Sequence, residues 1–270
     1  MELKMSYHID SPAIPQTVNP SWEAVYSIEI KENNEKLVPL SLAENHFLVR
    51  PAYFYAGITK ALPECYARDD IRKMLLKANG FLPKGLRLII LDSWRSKETQ
   101  TALFSECVAA LMKVHPDKDE KTINKMASEF VATPSLDPAH PSPHATGGAV
   151  DLTIATTEGE PLFFGAAFDY PGAVSNTRYF EERLERGETL TDIELESMKN
   201  RRLLYDVMTR AGFVNYHGEW WHFEYGTQRW AYTNKEDYAL YGPKIITLNS
   251  FAAFVPSFNA GITTLVSAGG

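Results

Sequence analysis

Apolar positions along the chain follow two periods, and the switches between them mark out its elements. Over residues 69–79 the spacing is helical, with Ile71, Met74, Leu75 and Ala78 on one face and Gly80 as the stop. Residues 86–91 form a short apolar run after Pro83 and Gly85, the signature of a buried strand. A second helix is predicted over 97–114, its stripe made of Leu103, Phe104, Cys107, Val108, Leu111 and Met112. A third opens at the capping box Thr191-Asp192-Ile193-Glu194, runs through Met198, Leu204, Val207, Met208 and Ala211, and ends at Gly212. From 149 to 154 the period drops to two: Val150, Leu152 and Ile154 point one way, Ala149, Asp151 and Thr153 the other. Residues 213–216 and 221–225 read as a final hairpin, with Trp221, Phe223 and Tyr225 on one face and Trp220, His222 and Glu224 on the other.

Between these elements the pattern is weaker. Val25, Ser27 and Glu29 alternate with Tyr26, Ile28 and Ile30, which predicts a half-buried strand over 24–30. Residues 47–58 are rich in aromatics (Tyr53, Phe54, Tyr55) and read as a loop or short strand lining something. Residues 113–125 are a charged, mobile-looking stretch, and 134–143 carry Pro134, Pro138, Pro141 and Pro143, which forbid a regular element. A turn is expected at 158–160. Residues 170–188 look polar and loop-like, with one helical turn. The tail from 245 to 270 mixes apolar residues with Ser, Asn, Gly and Pro256, as a packed tail, an interface segment or a partly disordered end would.

Composition narrows the class. A chain of 270 residues with 44% hydrophobic content can bury one sizeable core. The divisions expected are an extension over 1–45 packed on the domain, a main domain over 46–243 and a tail over 244–270. A net charge of −7 excludes a nucleic-acid partner, because phosphate binding needs a basic field. No apolar run is long enough to span a bilayer, so no membrane partner is expected. Residues 1–15 lack the apolar region of a secretory signal, which implies a cytoplasmic protein, or a periplasmic one if a leader has been removed. Two cysteines, Cys65 and Cys107, make no disulfide framework, and Cys107 is expected to be a buried thiol.

Candidate chemistry concentrates in two stretches. Ser142-Pro143-His144-Ala145-Thr146-Gly147-Gly148-Ala149-Val150-Asp151 sets a histidine and a carboxylate seven positions apart, and Glu219-Trp220-Trp221-His222 supplies a second histidine with a carboxylate three residues before it. Two imidazoles and a carboxylate are a standard ligand set for a catalytic zinc with one open position. Asp151 and His222 both leave their strands on the side away from the core. The three-residue spacing puts Glu219 opposite His222 in a regular strand, so Glu219 is expected in a turn or bulge, curling toward the metal. Arg95 follows the strand at 86–91, at a strand-to-helix junction where scaffolds often present catalytic groups. Taken singly these residues have plainer uses: His144 as a turn residue, Asp151 as a turn cap, Arg95 as a partner for Asp92, Asp169 in ordinary turn chemistry before Tyr-Pro-Gly. His217 is the chief rival ligand, and His8, His46, His115 and His140 read as structural or exposed.

Ser142-x-His144-x-x-Gly147-x-Ala149-x-Asp151 together with Glu219-x-Trp221-His222 resembles the VanX-type D-alanyl-D-alanine dipeptidases, zinc enzymes sharing a fold with other DD-peptidases of peptidoglycan. The likeness runs from about Phe47 to Tyr225 and includes Asp92-Ser93-Trp94-Arg95, Phe168-Asp169 and Gly212-Phe213-x-x-Tyr216. Residues 1–45 and the tail after Pro243 depart from it, and a tyrosine that lines the family's pocket has no clear counterpart. The resemblance implies a single α+β domain, hedgehog/DD-peptidase-like, with a central mostly antiparallel sheet flanked by helices. It implies one Zn2+ per chain on His144, Asp151 and His222, with Glu219 as catalytic base and Arg95 stabilising the transition state. Asp169 and Ser142 would contact a small dipeptide, in a pocket walled by aromatics such as Trp220. The function implied is hydrolysis of D-Ala-D-Ala or a similar D,D-dipeptide. A DD-carboxypeptidase acting on longer cell-wall peptides is the alternative within enzymes, favoured by a pocket open at the ammonium end. A zinc-stabilised binding module is the alternative outside them, and it would need neither Glu219 nor Arg95. Nothing in the sequence fixes the oligomeric state.

Overall fold

Cap chemistry decides the first element. The computed structural model describes residues 11–246 apart from 18, 129 and 136, and in it the strand expected over 24–30 is largely a helix, α1 (Trp22–Tyr26). The Ser21 hydroxyl accepts from the Ala24 amide at 3.2 Å, Trp22 stacks on Tyr26, and Val25 is buried. An alternating run this short satisfies either period, and the N-cap breaks the tie. Only β1 (Glu29–Ile30) stays extended, and it pairs in parallel with residues 238–239. The tail expectation, and that for His8, lie outside the described residues.

Next come β2 (Leu37–Pro39), β3 (Leu48–Val49), the one-turn helix α2 (Ala52–Tyr55) and β4 (Tyr66–Arg68), with β2 and β4 antiparallel. Arg68, wholly buried, gathers this region. Its guanidinium donates to the Glu32 carboxylate from both terminal nitrogens, at 2.7 and 2.9 Å, and to the carbonyls of Glu35, Thr146 and Gly242. One side chain thus joins the N-terminal segment, the His144 turn and the end of the described chain.

Helix α3 (Asp69–Gly80), strand β5 (Leu86–Asp92) and helix α4 (Lys97–Val114) form where the periodicity put them. The α4 stripe is less buried than expected, however. Leu103 is buried while Met112 is exposed and Cys107 only half-buried, because α4 packs chiefly on α5 (Glu120–Ala127). That helix corrects the reading of 113–125 as a mobile stretch. Asp119 caps it by accepting from the Thr122 amide at 2.8 Å, and it buries Ile123 and Ala127 beneath its charged face.

After the proline-rich loop come the single turn α6 (Pro143–Thr146) and strand β6 (Ala149–Thr156). The turn at 158–160 closes with the Gly159 amide on the Thr156 carbonyl. Residues 170–188 hold more helix than one turn, in α7 (Tyr179–Glu185). Glu181 docks that helix on α8 (Asp192–Ala211) by a two-pronged bond from Arg202, 2.6 Å on each oxygen, so a charge that read as loop is buried and paired. Both reciprocal bonds of the Thr191–Glu194 capping box are present at the start of α8. The hairpin β7 (Val214–Asn215) and β8 (His222–Glu224), then α9 (Gln228–Asn234) and β9 (Tyr238–Ala239), complete the chain.

The central sheet has the order β3-β5-β6-β8-β7, with β3 parallel to β5 and the remaining three pairings antiparallel. This is the α+β architecture expected, a mostly antiparallel sheet flanked by helices. Leu88, Ile90, Val150, Leu152, Ile154 and Phe223 join Ile71, Leu75, Leu204, Val207 and Met208 in one core. Asp151, Thr153, His222 and Glu224 are thereby turned to the other face. Among the described residues no helix is long and apolar enough to cross a membrane.

Candidate metal centre

The register of the sheet sets Asp151 on β6 opposite His222 on β8. A bulge near the end of β5 sets Asp92 opposite Asp151 on the other side. Since Val150, Leu152 and Phe223 enter the core, Asp151 and His222 project together from the far face. His144 arrives from α6, which Gly147 closes at φ 72°. A Cβ there would lie 2.3 Å from Leu37 Cδ2, and one on Gly148 would lie 2.6 Å from the Tyr225 carbonyl oxygen. The left-handed turn and the tight passage both require glycine, and together they swing His144 over the sheet.

His144 Nε2 lies 3.2 Å from His222 Nδ1 and 3.4 Å from Asp151 Oδ2, and His222 Nδ1 lies 2.9 Å from Asp151 Oδ1. Ligands about 2.0–2.1 Å from a tetrahedral zinc stand about 3.3 Å from one another, so this spacing fits one ion. The other ring nitrogens are committed. His144 Nδ1 donates to the Ser93 carbonyl at 2.6 Å and His222 Nε2 to Glu224 Oε1 at 3.1 Å, which fixes both tautomers with a lone pair facing the cluster. Glu224 is itself held by the Thr227 hydroxyl at 2.5 Å and Arg229 Nε at 3.1 Å.

The electrostatics also call for a cation. Burial alone would lower the His222 pKa, but the bonds to Asp151 and Glu224 outweigh it and push the ring up to about 10. Burial works the other way on Asp151, yet the two histidines hold its carboxyl below the usual range. Without another positive charge the trio keeps a proton. A divalent ion on the same three atoms would take that proton's place.

Glu219 lies between β7 and β8, outside both strands. Asn215 Nδ2 donates to the carbonyls of Glu219 and His222 at 3.1 and 2.9 Å, and the Thr177 hydroxyl reaches the Glu219 carbonyl at 3.2 Å. This bracing aims the carboxylate inward, with Oε2 3.8 Å from His222 Nδ1. Shielding from bulk solvent raises its pKa, and the Asp151 charge adds to the rise.

Arg95 Nε and Nη2 donate to Asp92 Oδ2 at 2.9 and 2.6 Å, and Nη1 donates to Gln100 Oε1 at 2.8 Å. Its Nη2 stands 3.7 Å from Asp151 Oδ2, and its guanidinium lies over the Tyr53 ring. The Tyr53 hydroxyl donates to Asp169 Oδ2 at 3.3 Å. Asp169 is in the left-handed region, at φ 60°. Burial, with the charges of Asp151 and Glu219, pushes its carboxyl up to about 6. Metal trio, Glu219, Arg95, Asp169 and Ser142 all line one cavity of about 510 Å³.

Trp220 does not line it. It is buried and stacked on Phe164 at 4.2 Å, and Trp221 lines the cavity instead. Regular alternation begins only at His222, so extending it back to Trp220 put that ring on the wrong side. His217 stays outside the cluster. The sequence placed Tyr53 only among the aromatics of a lining segment and gave no role to Gln100, Glu224 or Arg229. For Glu224 a signal existed, since it shares a strand face with His222. For Gln100 and Arg229 there was none, because each meets a partner five residues back, across a strand-to-helix junction where neither period applies.

Residues 59–239 match the model of the peptidase M15 family, described as D-Ala-D-Ala dipeptidase. The D-alanyl-D-alanine dipeptidase of Synechocystis sp. is 27% identical over 218 residues, spanning 76% of this chain and 88% of its own length. Its namesake in Escherichia coli is 31% identical over 141 residues, 52% of this chain and 55% of its own. The solved structure of VanYB in complex with D-alanine-D-alanine aligns with 64% of this chain and 80% of that one, at 17% identity and a TM-score of 0.36.

Proposed function

Because the chain belongs to the peptidase M15 family of D-Ala-D-Ala dipeptidases, we propose that it is a zinc-dependent dipeptidase hydrolysing D-Ala-D-Ala or a close D,D-dipeptide. The observation that carries this reading is the convergence of three ligand atoms, from His144, Asp151 and His222, with the Glu219 carboxylate 3.8 Å from one of them. A binding module has no use for that fourth group.

His144, Asp151 and His222 would hold the zinc, which supplies a Lewis acid and lowers the pKa of water at neutral pH. Glu219, with its raised affinity for protons, takes the proton of the attacking water and hands it to the leaving amine. Arg95 offers N–H groups to the oxygen that gains charge in the transition state, held in aim by Asp92, Gln100 and Tyr53. Asp169 receives the substrate ammonium, and Ser142 contacts the peptide on the side of the His144 turn.

A DD-carboxypeptidase acting on longer peptides is the second reading, and the cavity of about 510 Å³ supports it, being larger than two alanines fill. A peptide panel decides between them. D-Ala-D-Ala should be cleaved, L,L-dipeptides should not, and blocking the amino terminus should abolish turnover. Chelation should stop the reaction and zinc restore it. Efficient cleavage of N-acylated peptides would favour the carboxypeptidase, and chelator-insensitive activity would remove the metal from the proposal.

A further inference from the structure

Arg201, on α8, is a buried charge with no acid beside it. Only 2% of it is exposed, and all three of its nitrogens donate to backbone carbonyls. Nε reaches Phe164 at 2.8 Å, Nη2 reaches Val174 at 2.7 Å and Nη1 reaches Asn176 at 2.7 Å. The guanidinium lies over the Phe180 ring at 4.6 Å. Burial pulls its pKa down, and only the Tyr179 phenol opposes the shift. Its neighbour Arg202, by contrast, pairs with Glu181. Burying a guanidinium without a carboxylate is costly, and what these bonds define in return is the course of one loop.

The three carbonyls stand at the two ends of that loop. Phe164 opens it, Val174 and Asn176 close it, and Asp169 lies between them. The planar fork of one arginine therefore pins both ends at once. Gly165, at φ 85°, has no room for a Cβ against Phe180, the ring beneath the guanidinium. Inside the loop the Ser175 hydroxyl donates to the Tyr170 carbonyl at 2.6 Å. Asp169 needs such support, because a non-glycine residue keeps φ 60° only where its surroundings impose it.

The closing end of the loop also meets the turn that carries Glu219. The Ser175 carbonyl accepts from the Trp220 amide at 2.9 Å, and the Thr177 amide donates to the His217 carbonyl at 2.9 Å. The Thr177 hydroxyl reaches the Glu219 carbonyl at 3.2 Å. Along residues 174–177, bonds to Arg201 thus alternate with bonds to the Glu219 turn. Glu219 has a separate brace in Asn215, whereas both ends of the Asp169 loop depend on Arg201.

Building on the dipeptidase reading, we propose that Arg201 is the positioning residue that fixes Asp169, the ammonium anchor, relative to Glu219, the base. It thereby sets how far from the cleaved bond the substrate's amino group must lie. Arg201 itself touches neither substrate nor water. Loosening it lets Asp169 move while Glu219 stays, so selectivity for a free amino terminus is lost before the chemistry is.

The test compares D-Ala-D-Ala with N-acetyl-D-Ala-D-Ala, which keeps the scissile bond and loses the ammonium. Zinc content and urea midpoint are measured alongside for the wild type, Arg201→Lys and Arg201→Met. The wild type should prefer the free peptide by at least about a hundredfold in kcat/KM. Arg201→Lys keeps the charge but not the fork. In both variants KM for the free peptide should rise about tenfold or more with kcat changed only a few-fold, and the preference should shrink to a few-fold. Misplacing an anchor by about 1 Å is enough for changes of this size. A merely structural role would lower both peptides by the same factor, leave the preference intact and overturn the proposal. Should Arg201 variants fail to fold, Phe180→Leu keeps an apolar side chain beneath the guanidinium and removes the ring. Its preference should fall several-fold, and an unchanged preference in a folded Phe180→Leu would equally overturn the proposal. A wild type that cleaves both peptides alike refutes the ammonium role of Asp169 and this proposal with it. A wild type that cleaves neither refutes the dipeptidase reading itself, and no variant is needed to see it.

Discussion

The Glu224 carboxylate accepts from the His222 ring at 3.1 Å, on the nitrogen opposite the one that faces His144 and Asp151. This contact holds the ring and keeps Nδ1 free of a proton once a cation is bound. Removing such a partner typically weakens metal binding ten- to a hundredfold. Glu224→Gln should therefore raise the zinc dissociation constant by about that factor, read by competition with a chromophoric chelator. An unchanged constant would show that His222 needs no second partner.

Glu219 stands near the trio but is not one of its three ligands. Glu219→Gln should keep zinc, as elemental analysis would show, and lose about a hundred- to ten-thousandfold in kcat, the usual contribution of a positioned acid-base group. Loss of zinc along with activity would make Glu219 a ligand instead.

Asp169 is a neutral acid below about 6. An ammonium needs the carboxylate, so kcat/KM should fall about tenfold per pH unit below that point and level off above it. Asp169→Asn should lower the plateau and remove the limb near 6. The same shift has the opposite sign for folding. The folded protein holds this proton more tightly than the unfolded chain does, so the group's contribution to stability is full below about 4 and lost as pH rises through about 6.

Glu32 shows the converse case. Burial would raise its pKa, but the Arg68 guanidinium and the Gly242 amide pull it from 4.5 down to about 2. Its contribution is present above about 4.5 and lost as pH falls toward 2. Removing the Arg68 guanidinium would leave the partly buried Glu32 carboxylate and the carbonyls of Glu35, Thr146 and Gly242 without their shared donor. Arg68→Met should therefore unfold at markedly lower denaturant concentration, and its acid unfolding should lose the Glu32 component. Equal midpoints in urea melts would remove Arg68 from its central place.

The local pattern determined a great deal. Residues 69–79, 86–91, 97–114 and 191–212 could be read because each is long enough for one period to win, or carries a cap or a glycine stop. Two histidines, an aspartate and a glutamate could be named because their types and spacing fit one kind of ion chemistry. Short segments were another matter: 24–30 satisfied both periods, and a Ser21 hydroxyl decided for helix. Residues 113–125 hid the buried Ile123 behind lysines and glutamates, while the tertiary pair Glu181–Arg202 gave 179–185 a docked face that no local signal announces. The side chains that surround the metal ligands needed the folded sheet most. Asp92 and His222 flank Asp151 only by register and a bulge, Gln100 and Arg229 reach back to Arg95 and Glu224 from the first turns of the helices that follow them, and Trp220 left the cavity because the strand begins one residue after Trp221. Periodicity reports which face of an element is apolar; which elements then meet on the polar face depends on packing across the whole chain.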